Sequence, residues 1–156
     1  MKKRFQTMTT SIDTMQGKDI PNVLGLIKAY YSEFGYSFNG KTMRRSLEEL
    51  IEYPSLGCLF LIKQDETALG YMLVTFGFSL EYHGRDAFLD EIFILPAWRS
   101  RGLGRKSIEY ALEFCRNSGV KAVHLEVKND NASVFELYRS LGFVKHDGIL
   151  ASRRLL

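Results

Sequence analysis

The stretch Arg99-Ser100-Arg101-Gly102-Leu103-Gly104-Arg105-Lys106 constrains this chain more than any other, because of what flanks it. Before it, Phe88-Leu89-Asp90-Glu91-Ile92-Phe93-Ile94-Leu95 reads as a strand that stops at Pro96. After it, Ile108, Ala111, Leu112 and Cys115 fall on one helical face. A glycine-bearing turn that opens a helix aims unpaired backbone N–H groups and the positive end of the helix dipole at one point. Gly102 and Gly104 carry no Cβ, so a bulky anion can approach the backbone. Three arginines and a lysine add positive charge to the same place. The segment is an anion cradle, and phosphate is the anion it suits.

Three phosphate-binding patterns compete for it. A Walker-type loop fails, since Arg99 stands where its first glycine belongs and Gly104 is followed by Arg105. A dinucleotide fingerprint is closer: Ser107 passes for its third small residue, and Glu126, about twenty residues on, stands where its acid is required. Arg99, three positions before the first glycine, has no part in that fingerprint. The run Arg-x-x-Gly-x-Gly resembles the pyrophosphate-binding motif of the GNAT acetyltransferases, which bind acetyl-coenzyme A. The resemblance continues beyond the helix, through the strand Ala122-Val123-His124-Leu125-Glu126-Val127 to Asn131, Tyr138, Gly142 and Phe143. That family carries an asparagine after its fifth strand, a tyrosine seven residues later and then a Gly-Phe pair. The match spans about Asp86 to Phe143 and is compatible with the chain before it.

Along the chain the order is strand, two helices, three strands, helix, strand, helix, two strands. Ser11 to Met15 reads as the first strand, and Asp19 as the N-cap of a helix with Ile20, Val23, Leu24, Ile27, Tyr30, Tyr31 and Phe34 at helical spacing. Thr42 is expected to cap a second helix, with Met43, Leu47, Leu50 and Ile51 inward and Pro54 as its stop. Cys58–Lys63 and Ala68–Phe78 read as hairpin strands, and Ile149–Leu155 as a closing strand that hints at a dimer interface. The fold class is α/β (α+β). The resemblance implies a central mixed, mostly antiparallel sheet of about six to seven strands, flanked by four helices and splayed between strands 4 and 5.

With 156 residues the chain is one domain by size, 1–156. No apolar stretch approaches the roughly 20 residues that span a membrane, and the residues after Lys2-Lys3-Arg4 form no signal-peptide core. A net charge of +3 without a basic aromatic stripe argues against nucleic acid. Cys58 and Cys115 have no metal-like or redox-like spacing and read as small hydrophobes; no metal site is expected. The expected location is cytoplasmic, and dimerisation is common in the family.

The implied chemistry is acetyl transfer from acetyl-CoA to an amine. An amine with a pKa of about 10.4 is neutral about once in 2,500 at pH 7, worth roughly 4.6 kcal/mol, so a carboxylate is needed to collect its proton. Glu91 and Asp90 are the candidates. On a regular strand they point to opposite faces, but strands of this family commonly bulge here, which leaves the assignment open. Tyr138 is the candidate general acid toward the leaving thiolate, its phenol being protonated at neutral pH. The cofactor is expected along the backbone of Ile92, Phe93 and Ile94, over the turn from Arg99 through Ser100, Arg101, Gly102, Leu103, Gly104 and Arg105, and at Asn131 and Ser133. Tyr31, Glu81 and Asp90 are candidate acceptor contacts, from segments that also supply Tyr30, Glu33, Tyr36, Phe38, Tyr82 and Asp86. Acidic and aromatic groups together suit a small cationic amine. A peptide or protein amine is the alternative acceptor, and a CoA-binding sensor without catalysis is the rival from another class.

Overall fold

In the computed structural model, which describes residues 9–127 and 132–155, five strands follow one another in one sheet in chain order. They are β1 (Thr10–Thr14), β2 (Gly57–Gln64), β3 (Thr67–Ser79), β4 (Gly84–Ile94) and β5 (Ala122–His124). The first three pairings are antiparallel and the last, β4 with β5, is parallel. The helices are α1 (Ile20–Phe34), α2 (Gly40–Glu52), α3 (Leu103–Asn117) and α4 (Ala132–Ser140). The chain divides into a sheet-bearing unit up to Glu126 and a C-terminal unit from Val127, which contains α4.

Register decides which face each side chain serves. On one face Leu59, Leu61, Tyr71 and Phe93 join Val23, Leu26 and Ile27 of α1 and Leu47 of α2 in a buried cluster. On the other, Phe60 meets Tyr110 and Phe114 of α3 edge-on, and Phe76 stacks on Phe114. Both faces of the central strands are therefore covered. This is why β2 and β4 read as continuous apolar runs rather than as alternating ones.

The pairing of β3 with β4 slips once: Val74 faces Leu89 while Leu73 faces Glu91, so Asp90 is an extra, bulged residue. Neighbouring residues of β3 point to opposite faces, so Leu89 goes to the α3 side and Glu91 to the α1 side with Tyr71. Pairing of β4 with β5 covers only Asp86–Phe88, whereas pairing with β3 runs on to Ile94. Beyond Phe88, no strand among the described residues pairs with the other edge of β4, which is the expected splay.

Three expectations are corrected. Asn39, not Thr42, caps α2: its Oδ1 accepts the Thr42 N–H at 3.0 Å, one turn earlier than expected. Asp19 is the N-cap residue of α1 as expected, but its carboxylate accepts the Gln16 N–H at 2.9 Å instead of capping that helix with a side-chain hydrogen bond. The sheet has five strands rather than six to seven, and the described residues after α4, Ile149–Leu155 included, form none. Apolar alternation supplies propensity only; a strand exists by pairing with a neighbour, and Ile149 stays 96% exposed.

Candidate active site

Glu91 is half-buried on the α1 face, and its position is set by phenols. The Tyr71 O–H donates to Glu91 Oε2 at 2.6 Å, and Tyr31 makes a further side-chain hydrogen bond to the same carboxyl group. A buried carboxylate without partners would be costly; here β3 and α1 each supply one. Burial raises the Glu91 carboxyl above its ordinary range, the Tyr71 hydrogen bond lowers it, the charge of Asp90 raises it, and the Tyr31 bond lowers it. The phenols respond in the opposite sense. Tyr30 is pushed up to about 12, by burial first and then by the Glu91 charge. Tyr31 and Tyr71 are raised by burial and Glu91 as well. All three stay protonated, as donors must.

These groups sit in an aromatic wall. Tyr30 packs edge-on against Tyr71 and Phe93, and Tyr31 against Tyr36 and Phe38. Phe34 and Tyr36, both more than 40% exposed, form its rim. Asp90, the bulged residue, is exposed, although the surrounding protein still raises its carboxyl. Tyr71 was not among the sequence candidates. It pairs with Phe93, two residues from Glu91, so its role becomes visible only with the β3–β4 register in hand.

At the end of β4 the anion turn takes the expected form. Gly102 has φ +78° and opens α3, and no side chain caps the helix. The first N–H groups of a helix have no intrahelical partner, so this turn offers donors to an anion. The arginine side chains are engaged locally. Arg99 Nε donates to the Ile94 carbonyl at 2.9 Å and its Nη2 to Glu33 at 2.7 Å, with the guanidinium 5.5 Å from the centre of the Phe93 ring. Arg101 donates to the Ala97 carbonyl at 3.0 Å and covers the Trp98 ring, and Arg105 pairs with Glu109 at 3.7 Å. Ser100, φ +60°, is exposed, and Leu103 is buried. The side chains of Ile92 and Ile94 are half-buried and that of Phe93 is core, so the open edge of β4 is served by those of their backbone groups that do not pair with β3. An uncapped glycine turn at the end of an unpaired strand edge suits a pyrophosphate carrying an amide-bearing arm.

Glu81 stands in the β3–β4 turn, exposed, at the opposite end of β4 from the anion turn. In the C-terminal unit Tyr138 is buried, packs edge-on against Phe143 at 5.7 Å, and has its phenol raised by burial. Ser133 is exposed in the first turn of α4. Asn131 lies outside the described residues. Among the described residues no cluster of ligating side chains could hold a metal ion, and no helix is long and apolar enough to cross a membrane.

Comparison with known proteins agrees with this architecture. Residues 23–143 match the model of the acetyltransferase (GNAT) family. The chain belongs to that family, whose acetyl donor is acetyl-CoA. It is 32% identical over 79 residues to a thialysine N-ε-acetyltransferase of Bos taurus, covering 51% of this chain and 46% of that protein. It is 33% identical over 89 residues to the ribosomal protein bS18-alanine N-acetyltransferase of Escherichia coli K12, covering 54% of this chain and 60% of that one. The chain thus spans about half the length of the curated relatives it matches. Among solved structures, an aminoglycoside N-acetyltransferase in complex with CoA superimposes with a TM-score of 0.81 at 18% identity, over 97% of this chain and 98% of that one. At that identity the likeness is one of fold.

Proposed function

We propose that residues 1–156 form a single N-acetyltransferase domain that moves an acetyl group from acetyl-CoA to the primary amine of a small cationic acceptor, by direct transfer in a ternary complex. The observation that carries this reading is the bulge at Asp90, which sets Glu91 in an aromatic wall beside the open edge of β4. Acetyl-CoA supplies the thioester. The uncapped turn from Arg101 to Gly104 binds its pyrophosphate, and the backbone of Ile92–Ile94 pairs with its amides. Tyr30, Tyr31 and Tyr36 hold a cationic acceptor by their ring faces while Glu91 attracts its charge.

Glu91 then collects the amine proton as the new C–N bond forms, and Asp90 at the exposed bulge helps draw the cation in. As the C–S bond breaks, the Tyr138 phenol gives its proton to the departing sulfur. Burial, which raises that phenol, keeps it in the donating form at neutral pH. No cysteine is needed as a nucleophile. Cys58 is half-buried beside Thr14 and Cys115 lies in the α3 core, both with raised thiols.

The bS18-alanine relative favours a second acceptor, a protein α-amine. Thiol release from acetyl-CoA, measured across small amines and alanine-initiated peptides, separates the two. Turnover of small amines supports the first reading. Turnover confined to peptides replaces it with the second. Tight CoA binding with no turnover on any amine would establish the sensor instead. Within an active enzyme, unchanged rates in both Glu91→Gln and Tyr138→Phe would overturn the assigned roles.

A further inference from the structure

We propose that Asp86 is a second carboxylate subsite, which takes the distal cation of an elongated acceptor whose near amine is acetylated beside Glu91. This rests on the transferase reading above and adds the shape and charge of the substrate. Gly77 faces Asp86, Thr75 faces Phe88 and Leu73 faces Glu91 across the β3–β4 ladder. Alternate residues of β3 share a face, so Asp86, Phe88 and Glu91 all stand on the α1 side of the sheet. The bulge is what brings Glu91 into this row. The two carboxylates are four β3 residues apart, about 14 Å along the strand.

Asp86 and Phe88 line an open groove of about 220 Å³ with Thr75, Gly77 and His124. A Cβ on Gly77 would fall 2.6 Å from Asp86 Oδ1, so the missing side chain is what allows the carboxylate to stand over the strand. His124 Nε2 lies 3.5 Å from Asp86 Oδ2. The imidazole can give this carboxylate one hydrogen bond, and a carboxylate accepts about four, so acceptor capacity remains for a cation. Of the cations nearby, Arg85 covers the Phe76 ring at 4.8 Å on the α3 face, whereas the Lys121 stem packs against Gly84, which shares the Asp86 face of β4. The Phe88 ring gives the groove an apolar wall for a methylene chain. A carboxylate at each end of an apolar run is complementary to an extended aliphatic dication.

The test uses the full chain and two probe series, α,ω-diamines of increasing length and n-alkyl monoamines of the same lengths, with kcat and KM measured for each. The expected result is a diamine preference that rises with length until the span is reached. Asp86→Asn should collapse that preference by about tenfold, mainly through KM, the size of a lost contact to a partly covered charge. Asp65→Asn, in the β2–β3 turn, should retain it. A structural role for Asp86 would instead lower catalysis on both series alike, and that result, or an unchanged preference, would overturn the proposal. Turnover of monoamines by the unaltered protein secures the transferase reading independently. Failure of both series would overturn that reading and the subsite with it.

Discussion

Replacing Glu91 with Gln removes the carboxylate's charge while leaving an oxygen that the Tyr71 O–H can still reach at the 2.6 Å position. The fold should tolerate the change. Burial raises the Glu91 carboxyl above its ordinary range, so the native fold holds its ionised form at a cost that a neutral amide does not bear. The melting temperature of Glu91→Gln at pH 7 should therefore equal or exceed that of the unaltered protein. Catalysis should behave otherwise. With no base, only acceptor that is already neutral can react, about one molecule in 2,500 at pH 7 for an amine of pKa about 10.4. The loss in kcat/KM should approach about a thousandfold at pH 7, within the usual range for a general base. At pH 9 the neutral fraction is about one in 25, so the variant should gain roughly tenfold per pH unit while the unaltered protein stays nearly level. Initial rates of thiol release from pH 6.5 to 9.5 read this directly. A ratio of rates that stays constant with pH would refute Glu91 as the group that collects the proton.

Three further outcomes follow from the same geometry. Tyr71→Phe deletes the hydrogen bond that lowers the Glu91 carboxyl, so the acid limb of the kcat/KM profile should move to higher pH; a shift to lower pH would contradict the contact. Gly102→Ala places a Cβ at φ +78°, which costs about 1–2 kcal/mol, and should weaken CoA binding measured by calorimetry more than it lowers the melting temperature. Phe60→Ala empties a fully buried site against α3 and should destabilise the protein by about 3–5 kcal/mol in denaturant titration, with the acceptor preference unchanged.

How far the sequence reached follows from which interactions are local. The anion turn was legible because its parts are contiguous: two glycines, the strand before them and the apolar face of α3 after them. Of Ile108, Ala111, Leu112 and Cys115, expected on that face, all are buried except Leu112, which is half-buried. The cap of α2 was missed by one turn because Asn39 and Thr42 are both good cap residues three positions apart, and backbone geometry chose between them. The Glu91 partners were out of reach for a different reason. Tyr71 is twenty residues away and touches Glu91 only through a register that slips at Asp90.

That slip also explains why the Asp90–Glu91 question could not be closed from spacing. In a strand with one wet face, a bulge interrupts the alternation of polar and apolar residues and leaves a trace. β4 is covered on both faces, so Phe88-Leu89 and Ile92-Phe93-Ile94 are apolar whether or not the chain bulges between them. Were Asp90 to take a regular place in the ladder instead of bulging, Glu91 would share the α3 side with Leu89, away from Tyr71 and Tyr31, and the row it forms with Phe88 and Asp86 would not exist. One unpaired residue thus sets three things at once. It selects the carboxylate that enters the aromatic wall, leaves its neighbour Asp90 exposed, and aligns the face on which an elongated acceptor can lie.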